Sequence, residues 1–61
     1  MRPDFADPIH ESLYEILCRD SVDIDTLAQS LQLDSQTVMM SLAMMEIDGI
    51  VTSSGGMYRV S

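Results

Sequence analysis

Residues 23–49, DIDTLAQSLQLDSQTVMMSLAMMEIDG, decide the fold of this chain. Asp23 and Asp34 each stand just before an apolar helical pattern, where a short carboxylate satisfies the orphan N–H groups of a first turn. Ile24, Leu27, Ala28 and Leu31 recur at helical spacing and give the first helix of the stretch a buried face over only about eight residues. Leu31-Gln32-Leu33 makes the turn. Asp34, with Thr37 three residues on, then opens a longer helix that continues until Gly49, the residue type best suited to the left-handed position closing a helix. Two short helices joined by a tight turn form a helix-turn-helix.

On the N-terminal side, Asp7 is an N-cap with Pro8 at the first helical position, where the missing N–H is no loss. Ile9, Leu13, Ile16 and Leu17 follow as one apolar stripe, so a helix is expected from Pro8 to Arg19, with Glu11 and Glu15 on its solvated face. Residues 1–6, punctuated by Pro3 and Asp4, read as a tail or linker remnant whose Phe5 can fold back onto a domain spanning 7–61. Ser21-Val22 is too short for more than a bridge of extended chain. Beyond Gly49 the period changes to alternation: Ile50-Val51-Thr52-Ser53, a turn at Ser54-Gly55-Gly56, then Met57-Tyr58-Arg59-Val60, which reads as a β-hairpin. Helix, short strand, helix, helix, hairpin is the order of a winged helix. The expected fold is mainly α with a small β-hairpin: three helices plus a two-stranded wing.

The composition narrows what such a domain can do. Sixty-one residues form one small domain, and such a chain buries only ~60% of its unfolded surface. With 46% hydrophobic and 21% charged residues it has the composition of a folded module rather than a disordered one. The net charge is −7, from ten acidic residues against Arg2, Arg19 and Arg59, with no lysine. Phosphate backbones are held mainly by cations that displace counterions, so nucleic-acid affinity is expected to be weak or absent, and an anionic membrane is disfavoured alike. A basic or apolar protein surface is the easier partner. Cys18 has no second cysteine to pair with and His10 is the only histidine, so neither a disulfide nor a metal cluster is expected, and no cofactor. The cytoplasm is the expected compartment, since there is no apolar stretch of signal-peptide or membrane-spanning length.

Residues 36–49 hold the position of a DNA-reading helix, yet contain four methionines and no Lys or Arg. Projected at about 100° per residue, Val38, Leu42 and Met45 face the core, Met40, Ala43, Met44 and Ile47 lie opposite, and Met39 and Asp48 occupy the flanks. A small domain has no second layer to cover that outward side, and methionine adapts to varied partners. Met40, Ala43, Met44 and Ile47 are therefore the candidate partner-contact residues, for a second copy, another domain of a parent chain or another protein. The alternative is weak DNA binding by helix 3 and the wing, with Ser54, Gly55 and Arg59 touching a phosphate backbone. Tyr58 is expected beneath the hairpin, and Cys18 and His10 are expected in solvent. No Ser, Cys or carboxylate pairs with a histidine as a triad would require, so no enzyme is expected.

One resemblance accompanies these residues. Ser21-Val22-Asp23-Ile24-Asp25-Thr26-Leu27-Ala28, Val38, Leu42, Met45-Glu46-Ile47-Asp48-Gly49-Ile50-Val51 and the closing Gly55-Gly56-Met57-Tyr58-Arg59 resemble the C-terminal winged-helix domain of the DNA-processing protein A family, DprA or Smf. The likeness covers residues 8–60. It implies an accessory, non-catalytic module at the end of a longer protein. In that family a preceding Rossmann-like domain binds single-stranded DNA and helps to load the RecA recombinase in natural transformation. The family's DNA-binding and dimerisation residues lie in that preceding domain, so the resemblance assigns none to this chain.

Overall fold

A computed structural model describes residues 4–61, leaving Arg2, Pro3 and the start of the tail outside the described residues. Helix α1 (Pro8–Arg19) is followed by strand β1 (Val22–Asp23), helices α2 (Ile24–Leu31) and α3 (Ser35–Ile47), and strands β2 (Val51–Ser54) and β3 (Met57–Val60). The sheet is antiparallel in the order β1-β3-β2. The wing therefore has a third strand: the extended bridge at Val22 pairs with Tyr58, and Asp23 with Met57.

Each helix begins on the aspartate that the sequence offers. Asp7 accepts the N–H of Ile9, with Pro8 in the first turn. Asp23 and Asp34 build the same device twice: one carboxylate oxygen accepts the N–H of the Thr three residues on, and the other accepts that Thr's hydroxyl at 2.6 Å. Those bonds, the Thr37 hydroxyl first, hold the Asp34 carboxyl below its ordinary value of 3.8, and the Thr26 hydroxyl does the same at Asp23. A lowered folded pKa stabilises the domain fully above the unfolded value, and the contribution is lost as pH falls through the folded one. Asp34→Ala is thus expected to lower the melting temperature by ~5 °C at pH 6. In thermal melts the gap from the parent chain should narrow as pH falls below 3.8.

The ends of α2 and α3 are closed by left-handed residues. After α3, Gly49 has φ +77°, its N–H bonds to Glu46 O at 3.0 Å, and the Ile50 N–H bonds to Met45 O at 2.9 Å, the Schellman pattern. After α2 the same pattern is made by Gln32, at φ +56°, with the Leu33 N–H on Ala28 O. A side chain in that region is strained by about 1–2 kcal/mol. Gln32→Gly is expected to raise stability by ~0.5–1 kcal/mol, after the glycine's greater unfolded-state entropy is set against the relieved strain, as denaturant unfolding would read.

The core sits where the three helices meet the inner face of the sheet. Leu13 and Leu17 of α1, Leu27 and Ala28 of α2, Val38, Leu42 and Met45 of α3, and Val51 of β2 are buried together. Ile9, Ile16, Tyr58 and Val60 close its edges. Phe5 folds back, its ring 5.2 Å from that of Tyr14. One expectation is corrected: the His10 side chain is only 17% exposed, with Nε2 3.8 Å from Asp7 Oδ2. The i, i+3 spacing of a first turn lays its ring over the N-cap rather than in solvent.

Candidate functional site

Helix α3 is apolar on every side, and only one side is covered. Val38, Leu42 and Met45 point into the core together with Ser41, a small polar residue the packing accepts. The opposite side exposes Met40 (63%), Met44 (58%) and Ile47 (84%), with Ala43 exposed between them. The i, i+3 and i+4 spacings join these into one strip along the helix. Met39, placed on the flank by projection, is also half in solvent and widens the strip. The sequence carried that signal as a fifth exposed apolar side chain, but 100° lies between the faces and only packing decides it.

The charged residues of α3 and its two caps are all negative. Glu46 and Asp48 at its C-terminal end are exposed, and the last turn of α3 holds no basic residue. Glu46 accepts the Ser53 hydroxyl at 3.2 Å, which ties the end of α3 to β2. The carbonyl end of a helix carries partial negative charge, so this end repels anions twice over.

The wing presents a different surface. Gly55 and Gly56, both with positive φ, make the two-residue turn that matches the twist of a hairpin, a conformation side chains resist. The turn is shorter than the sequence suggests, because Ser54 is the last residue of β2 and pairs with Met57. Arg59 pairs with Thr52, which puts it on the same outer face as Ser54 at the diagonal spacing of about 7–8 Å. It is not at the tip: Arg59 lines a shallow groove with Arg19, Asp20 and Ser21 beside the end of α1. Ser54, Gly55 and Arg59 are all exposed, but the fold does not gather them into one point of contact.

Among the described residues no group of three His, Cys, Asp or Glu side chains could hold a metal ion, and the Cys18 thiol is free and exposed. No helix there is long and apolar enough to cross a membrane.

Three helices, a helix-turn-helix and a C-terminal hairpin joined by a short strand define a winged-helix domain. Residues 2–57 match the family model of the DprA winged helix domain, and the chain belongs to that family. No curated protein and no solved structure gives a significant match.

Proposed function

We propose that this domain is a non-catalytic accessory module of a cytoplasmic DprA-type protein that handles incoming single-stranded DNA in natural transformation, and that it acts by protein–protein contact. The observation that carries the reading is the outer face of α3, where Met40, Ala43, Met44 and Ile47 expose an apolar strip on the helix that other winged helices aim at DNA. A recognition helix reading base edges needs Arg, Lys, Asn or Gln there, and α3 offers only Gln36, in its first turn. Membership of the DprA winged-helix family supports the DNA-processing context.

The test is chemical-shift mapping of the chain with the other domains of its parent protein supplied in trans, alongside light scattering across a concentration series. Shifts confined to Met39–Ile47 are expected. A strict monomer whose Met40→Glu/Met44→Glu variant keeps every interaction of the parent chain overturns the reading.

A second reading, weak DNA binding through the wing and α3, draws on the shared outer face of Ser54 and Arg59. It predicts affinity for duplex or single-stranded DNA that falls with salt by a log–log slope of about −1 for one phosphate contact and is lost in Arg59→Ala. With the domain at net −7, no binding is the expected result of that titration.

A further inference from the structure

The occupant of the α3 face can be specified further, on the premise that the face is a docking site. Met39, Met40, Met44 and Ile47 are 52%, 63%, 58% and 84% exposed. With Ala43 they present on the order of 500 Å² of surface, in the upper range for the largest apolar patch of a monomer and short of the ~800 Å² per partner that a stable protein–protein interface buries. A second copy would also bring another −7 against the first, with Glu46 and Asp48 at the end of the strip on each. Both magnitudes disfavour a symmetric dimer. The strip runs along about two turns, or ~12 Å, of α3, a length that one short amphipathic helix covers.

The rim selects the charge of that helix. Asp48 and Glu46 flank the strip at its C-terminal end, where the negative end of the α3 dipole adds to them. No cation stands on α3 itself, and Arg19 and Arg59 line the groove between the end of α1 and β3. We propose that the outer face of α3 binds a short cationic amphipathic helix of a partner protein, its apolar side chains on Met39, Met40, Met44 and Ile47 and its Lys or Arg residues at Glu46 and Asp48. Methionine side chains repack around leucine, isoleucine or phenylalanine alike, so the charge pattern, rather than one apolar shape, provides the discrimination.

The experiment uses two fluorescein-labelled synthetic peptides with leucines at i, i+3, i+4 and i+7, one carrying Lys and the other Glu at every remaining charged position. Fluorescence anisotropy with the 61-residue chain measures affinity, and methionine-methyl and amide shifts locate the contact. The Lys peptide is expected to bind at least about tenfold tighter than the Glu peptide. It should shift Met39, Met40, Met44 and Ile47, and weaken by about threefold to tenfold in Glu46→Gln/Asp48→Asn, a pair of exposed changes that leaves the core untouched. Equal binding of the two peptides at α3 overturns the cationic occupant and leaves the docking face standing. Binding of neither, with α3 shifts that grow with protein concentration, overturns it in favour of a second copy. Binding of the Lys peptide that is unchanged in Met40→Glu/Met44→Glu overturns the assignment to this face.

Discussion

Leu42→Ala is expected to lower the melting temperature of this domain by about 15–25 °C. Leu42 is fully buried at the centre of α3, in one cluster with Leu13 and Leu17 from α1, Leu27 from α2 and Val51 from the sheet. Truncating such a leucine costs about 3–5 kcal/mol, because the lost transfer energy is joined by a cavity the surroundings only partly fill. A chain of this length has only about 3–9 kcal/mol of total stability. The core has no redundancy, since it consists of eight buried apolar side chains with no second layer behind them. Circular dichroism melts and urea titration measure the loss directly. A shift under 5 °C would mean that the helices do not converge on Leu42.

The second large effect separates two neighbours. Met44 is 58% exposed and Met45 is 1% exposed, one residue apart on the same helix. Met45→Glu forces a carboxylate among Leu13, Val38 and Val51 with no partner, at a cost of several kcal/mol, and is expected to leave the chain unfolded at 25 °C. Met44→Glu, or Met40→Glu/Met44→Glu, puts the same group in solvent. Its effect on stability is expected within about 0.5 kcal/mol, while contact through the face is lost by 100-fold or more, since desolvation of the new carboxylate and lost apolar area act together. Amide spectra report the fold and titrations report the contact, so the two consequences are measured independently. An unfolded Met44→Glu variant would show that α3 is turned differently on the core.

Much of the fold could be read from residue types because its local signals agree. Aspartates at 7, 23 and 34, a proline at the start of α1 and glycines at 49, 55 and 56 mark nearly every element boundary, and each does so by its own hydrogen bonds or by its backbone freedom. The strip on α3 was legible for a related reason: a 3.6-residue period placed Met40, Ala43, Met44 and Ile47 opposite Val38, Leu42 and Met45, and the packing follows it. Other features depend on tertiary geometry. Two residues carry no period, so nothing in Val22-Asp23 announces a strand partner thirty-odd positions away. Gln32 is no left-handed residue by propensity, yet the α2–α3 turn imposes the conformation. His10 reads as exposed until the first turn sets its ring on Asp7.

Asp23 pairs with Met57 in the sheet and, through its carboxylate, holds the first turn of α2. A free hairpin can open and close alone, because a two-stranded ribbon is only marginally stable in water. This one cannot detach from β1 without disturbing the residue that starts the helix-turn-helix. Wing and helices are therefore expected to behave as one cooperative unit in hydrogen exchange, the amides of β3 and of the α2 start sharing an opening energy close to that of global unfolding. A load placed on the wing is felt at α2.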